Sequence, residues 1–219
     1  MKIKTVFATF ILMLGSAFNV NAALMQMNFN GSISFAGSFL DPTGLFTQGD
    51  SVSGFWLVET TTADTNADPR RGIYPHVGIP SFQINIGTSI FQTNTSNIQI
   101  LDNFVAGIGT IDAYDVLANG ETSNIAGLTN LNMQITLRDT QVPLDVFSDD
   151  ALPSFAPNPA DFDQVNQAQA QLSGIFNNNQ LFMNLEIDSV STVPVSATIW
   201  LFGTALVGLI GFSRRRNVA

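Results

Sequence analysis

Over Leu131-Asn132-Met133-Gln134-Ile135-Thr136-Leu137, apolar and polar residues alternate strictly, and only an extended backbone sorts them onto opposite faces. The same period of two recurs at Leu181, Met183, Leu185 and Ile187, interleaved with Phe182, Asn184, Glu186 and Asp188. A third run opens at Ser32–Phe35. Shorter candidate strands lie at Ser53–Glu59, Phe82–Ile86, Ser89–Thr93, Asn97–Leu101, Gly109–Leu117 and Gln171–Phe176. Turn-forming residues separate them: Asp41-Pro42-Thr43-Gly44, Gln48-Gly49-Asp50, Asn119-Gly120 and Asn177-Asn178-Asn179. Many short strands at this spacing predict an all-β fold, an antiparallel β-sandwich or a jelly-roll-like domain.

One stretch breaks the pattern. Ala151–Gln171 is punctuated by Pro153, Pro157 and Pro159, and Asn158 is placed to cap a short helical turn with Pro159 at its first position. It reads as a long loop lying over a sheet edge. No internal repeat and no second boundary interrupts the middle of the chain, so residues 23–192 form one expected domain.

The two ends differ from that middle. Met1–Ala22 carries Lys2 and Lys4, an apolar run over Val6–Leu14, and Val20-Asn21-Ala22. This is the layout of a secretory signal peptide with cleavage between Ala22 and Ala23; an uncleaved anchor is the other reading. At the far end Val193-Pro194-Val195-Ser196 leads into an uncharged run, Val195–Phe212, followed by Arg214, Arg215 and Arg216. A helix over 195–212 would be ~27 Å long, which suits the hydrocarbon core of a bilayer. The arginines after it would stay cytoplasmic, placing the middle domain outside, as the signal peptide also does.

A short Pro-containing motif, a W-L-F-G-x-A-L-x-G-L-x-G apolar segment from Trp200 to Gly211 and an arginine cluster together resemble the PEP-CTERM sorting signal, over residues 193–216. The family's Pro-Glu-Pro is replaced here by Val-Pro-Val-Ser, so only Pro194 survives of it. The opening Phe35-x-Gly37-x-Phe39 with Gly49-Asp50-x-Val52-x-Gly54 is also similar to the openings of passenger domains that carry this tag. The resemblance implies export through the Sec translocon, removal of the leader by signal peptidase and transient residence in the inner membrane. Cleavage near Pro194 by an exosortase would then release the protein to the cell surface or extracellular matrix of an exopolysaccharide-forming, biofilm-making cell. Permanent anchoring by a single span is the alternative.

Charge narrows the chemistry. All 17 acidic residues lie between the tags, with only Arg70, Arg71 and Arg138 as counterparts, so the middle carries 3 − 17 = −14. Such a surface repels nucleic acid, whose recognition needs basic patches. Without cysteine there is no disulfide, thiolate metal site or thiol nucleophile. His76 is the only histidine, and no G-x-S-x-G elbow accompanies it or Ser81 and Ser89. Carboxylate pairs exist at Asp112/Asp115, Asp149/Asp150 and Asp161/Asp163, yet Trp56, Tyr74 and Tyr114 are the only Trp or Tyr of the domain, few for a sugar-cleaving cleft. The expectation is therefore not an enzyme.

Two binding candidates remain. Asp64, Asn66 and Asp68 have the D-x-N-x-D opening of a calcium loop, but Pro69 and Pro75 stand where an EF-hand requires Gly and Glu. Arg70 and Arg71, with Tyr74 and His76 nearby, form a candidate contact for anionic polysaccharide; a surface ion pair with the neighbouring acids is the simpler reading. The functional expectation is an exported structural or adhesive component associated with exopolysaccharide. A non-catalytic carbohydrate-binding module is the second reading and a secreted hydrolase the third.

Overall fold

Each hairpin turn carries the residues its backbone requires. Between Phe176 and Asn179 the two turn residues are Asn177 and Asn178, at φ 48° and 66°. Positive φ at both positions is the hairpin turn whose twist matches the flanking strands, and Asn tolerates it.

The computed structural model of the chain describes residues 24–194, apart from 37–40, 108, 120, 142, 145 and 164–168. Met25–Val193 form one compact unit. Its strands are β1 (Leu24–Ala36), β2 (Ser51–Glu59), β3 (Arg71–Ile86), β4 (Ser89–Ala106), β5 (Gly109–Asn119), β6 (Thr122–Ser123), β7 (Leu128–Asp139), β8 (Ala170–Phe176) and β9 (Asn179–Pro194). Hydrogen-bonded neighbours run β3-β2-β1-β9-β8-β7-β5-β4, and β4 pairs back onto β3. Eight strands therefore close a circuit. The short β6 pairs with Phe91 and Gln92 of β4, below the stretch that β5 occupies.

The all-β, antiparallel expectation holds, and the strands join in one sheet. What sequence periodicity could not supply is the closure, because alternation marks the buried face of a strand without saying which strand lies beside it. β1 lies between β2 and β9, so the first and last strands remove each other's edges. Their approach is close: a Cβ on Gly31 would sit 1.9 Å from the Glu186 carbonyl oxygen.

The inward faces meet in one core. Met27, Phe29, Trp56, Phe82, Phe91, Ile98, Tyr114, Ile135, Leu172 and Met183 are at most 1% exposed. This is how an eight-stranded barrel fills its interior with side chains. Trp56 reaches across from β2 to β5, donating its indole N–H to the Tyr114 hydroxyl at 3.0 Å. Phe29 packs on the same indole with ring centroids 5.9 Å apart.

At the pole where β2 ends and β3 begins, residues 140–169 form the longest connection. Asp112, fully buried on the inner face of β5, accepts the Phe147 backbone N–H at 3.1 Å and that of Asn103 at 2.8 Å. Tyr74 donates its hydroxyl to the Asp150 carbonyl at 2.8 Å, and Gly72 admits that carbonyl where a Cβ would stand 2.3 Å away. The expected helical turn is a single 3₁₀ turn, Pro159–Asp161, capped by the Asn158 side chain with Pro159 at the first position. It lies in the loop over the barrel end, where no open sheet edge exists to cover.

Among the described residues no helix is long and apolar enough to cross a membrane. Ala22, Ala23, Val195, Ser196, the helix expected over 195–212 and Arg214–Arg216 lie outside the described residues.

Replacing Tyr114 with Phe keeps the ring and leaves the Trp56 N–H unpaired at zero exposure. The expected cost is ~1–3 kcal/mol of unfolding free energy, read in urea by the fluorescence of Trp56, the only tryptophan of the folded unit.

Candidate functional site

The loop from Thr60 to Arg70 uses its carboxylates locally. Asp64 Oδ1 accepts the backbone N–H groups of Asn66 and Ile73, both at 2.8 Å. Asn66 Oδ1 accepts the Asp68 N–H at 3.3 Å, and Asp68 Oδ1 accepts the Arg70 N–H at 3.1 Å. A staircase of side-chain-closed turns results. Asp64, Asn66 and Asp68, the calcium candidates, thus aim oxygens at successive amides. Among the described residues no group of three or more His, Asp or Glu could hold a metal ion.

The expected arginine pair is divided. Arg70 stays in the loop, 3.4 Å from the Asp68 carboxylate, with its own side chain exposed and that of Asp68 half-buried. Arg71 opens β3 and projects from the outer face, its Nε and Nη2 donating to Gln99 Oε1 at 3.2 and 2.8 Å. Tyr74 and His76 fall on the opposite, inward face, since side chains in a strand alternate. Neither can join Arg71 in a contact. Burial pushes the Tyr74 hydroxyl up to about 12, with Asp64 and Asp150 adding to the effect. His76 is 4% exposed with Nδ1 2.8 Å from the Tyr74 carbonyl oxygen, and burial lowers its pKa below the ordinary histidine value.

What Arg71 does meet was not legible as a motif. Register places Gln99, Asp115 and Thr136 in one row across β4, β5 and β7. Gln99 Nε2 donates to Asp115 Oδ2 at 3.3 Å, so Arg71, Gln99 and Asp115 form a relay on the outer surface. Asp115 is only 5% exposed, and its Oδ1 is buried without a hydrogen-bond partner. Burial pushes its carboxyl up to about 6, against the pull of Arg138, Thr136 and Arg71. Two of the domain's three arginines therefore bear on one carboxylate from β3 and β7.

The candidate acid pairs do not assemble. Asp112 faces the interior and Asp115 the outer surface, as an odd separation in a strand requires. Asp149 caps the Ala151 N–H, Asp161 accepts from the Asn158 amide, and Asp163 accepts from Thr140.

A concavity lies in the long loop. A pocket of about 400 Å³ is walled by Val146, Phe147, Pro153, Phe155, Pro157 and Phe162, with Asn158 and Asp161 as its polar residues. Its floor is fixed, because Phe147 and Phe162 are buried and pack with centroids 6.0 Å apart. Phe155 stands 61% exposed. The sequence hinted at this only by setting an aromatic residue among three prolines.

Asp115 gives a test of sign. Its ordinary value, 3.8, applies to the unfolded chain and about 6 to the folded one. Its contribution is therefore fully present below pH 3.8 and is lost as pH rises to about 6, by about 3 kcal/mol in all. Asn is the neutral counterpart of the protonated side chain. In urea unfolding, Asp115→Asn should match the parent at pH 4 and exceed it in stability above pH 7; a pH-independent difference would contradict the assignment.

Comparison of the chain with protein-family models, with curated proteins and with solved structures gives no match.

Proposed function

We propose that this chain is an exported cell-surface or extracellular-matrix protein, sorted by an exosortase-type system, whose barrel acts as a non-catalytic structural or adhesive component beside exopolysaccharide. The observation that carries this reading is the coincidence of two sets of boundaries. The compact unit runs from Met25, close to the candidate leader cleavage at Ala22–Ala23, to Val193, the first residue of Val193-Pro194-Val195-Ser196. Met25–Val193 form a unit whose core draws on residues from Met25 to Ile187, so removal of both tags would leave that core whole. Val193, at 48% exposure, is open to a protease, and Pro194 has no N–H to hold in a ladder.

A non-catalytic carbohydrate-binding module is the second reading, and a specific feature favours it. Connections this long are uncommon in a compact domain, and the described part of this one lines a pocket. The carboxylates at this pole are engaged by backbone amides and neighbouring side chains, an arrangement suited to holding shape.

Intact mass of the protein recovered from cells and from medium tests the sorting reading. The expected species starts at Ala23 and ends within Val193–Ser196, without the arginine cluster. A membrane-bound species still ending at Ala219 would overturn processing and leave a permanently anchored, outward-facing protein.

A further inference from the structure

We infer that the loop pocket over the barrel end is a binding site for a neutral sugar ring, with Phe155 as its stacking platform and Asn158 and Asp161 as its hydroxyl-reading edge. The inference rests on the reading of the protein as glycan-associated and specifies which glycan chemistry it takes.

Four observations carry it. A cavity of about 400 Å³ falls within the ~300–1,000 Å³ of small-molecule sites, and its lining mixes apolar side chains with polar groups. A sugar ring is amphipathic in the same sense, with a C–H face that packs on an aromatic ring and hydroxyls around its edge. Phe155 supplies the ring, exposed at 61% although Phe147 and Phe162 beside it are buried, so it is not needed to complete the core. Asn158 and Asp161 supply the edge. Asn158 Nδ2 donates to Asp161 Oδ1 at 2.9 Å, and its Oδ1 accepts the Ala160 N–H at 3.3 Å. These bonds fix the pair while leaving the second amide hydrogen and the lone pairs of Asp161 Oδ2 for a ligand.

The site is also held before any ligand arrives. The Phe147 backbone hangs on buried Asp112, Tyr74 holds Asp150, and Thr140 is tied to Asp163 at the base of the loop. Preorganisation of this kind lowers the ordering cost of binding.

Charge selects the class. Asp161 lines the pocket, and Asp64, Asp102 and Asp149 lie close enough to Asp150 to raise its pKa, after burial as the main cause. An anionic sugar would meet the Asp161 carboxylate here; Arg71 faces away on the outer surface of β3, and Arg70 is paired with Asp68. A second cleft of about 370 Å³ at the β8–β9 hairpin has amides, among them Asn130, Asn178 and Gln180, but no aromatic wall.

The test is calorimetric titration of the tag-free protein with neutral oligosaccharides of glucose, mannose, galactose and N-acetylglucosamine, and with oligogalacturonate as the acidic counterpart. At least one neutral oligosaccharide should bind and oligogalacturonate should not. Phe155→Ala should weaken that binding at least about tenfold, as loss of a central aromatic contact does, and Asp161→Asn should weaken it less, both with unchanged melting temperature. Absence of binding by every neutral probe, or parent-like affinity in Phe155→Ala, would overturn the site. Binding of oligogalacturonate abolished by Arg71→Gln would overturn it in favour of the outer face. None of these results touches processing at Pro194, which intact mass decides separately.

Discussion

Everything in this fold depends on the seam where β1 is held between β2 and β9. A sheet of this many strands left open would present two rows of unpaired amides and carbonyls, and a flat edge is a template for aggregation. Closure removes both rows at once. It also requires a long-range pairing between the first and last strands, whose loop-closure cost is met before the contact rewards it. Gly31 is the local signature of that seam, since any side chain there would occupy the space of the Glu186 carbonyl.

Closure creates a second constraint at the poles. A barrel interior packed with Phe29, Trp56, Tyr114 and their neighbours must be shielded from water where the strands stop. Phe46, from the β1–β2 connection, covers one end against Phe91 at a centroid distance of 6.0 Å. Asp41 holds that connection by accepting the Phe46 N–H at 2.9 Å. Phe147 and Phe162, from the β7–β8 connection, cover the other end, with the Phe147 backbone fastened by Asp112. In both places a buried aspartate binds backbone amides, which satisfies the carboxylate and fixes a loop without a cation. Much of the acidity that gives the domain its charge of −14 therefore serves as turn and loop chemistry.

The strand faces were legible because alternation is a local property. Met133, Ile135 and Leu137 point inward as expected, as do Leu181, Met183, Leu185 and Ile187. Pro75 and Pro80 hid the first half of β3, which reads as a broken segment. Pro80 is tolerated because the ladder to β4 shifts register between Val77 and Phe82, whereas Pro75 stays in register opposite Asn97. Asn97–Leu101 and Ser89–Thr93 looked like two strands and form one, β4, since Thr95 and Ser96 continue the pairing. For the site, the Asn158 cap was readable from its neighbour Pro159. Arg71 and Tyr74 are near in sequence, but a separation of three residues in a strand puts them on opposite faces. The Arg71–Gln99–Asp115 relay spans three strands and exists only through register, which sequence spacing does not encode.

The closed seam is most directly tested by amide hydrogen exchange on the tag-free chain, residues 23–193. The account predicts that amides across Met25–Phe35 and Leu181–Ile187 exchange only through global unfolding, with protection equal to that of β7 at the barrel wall. Fast, independent exchange along β1 would mean that the first strand frays as a free edge. The sheet would then be open, and the barrel described here would be wrong.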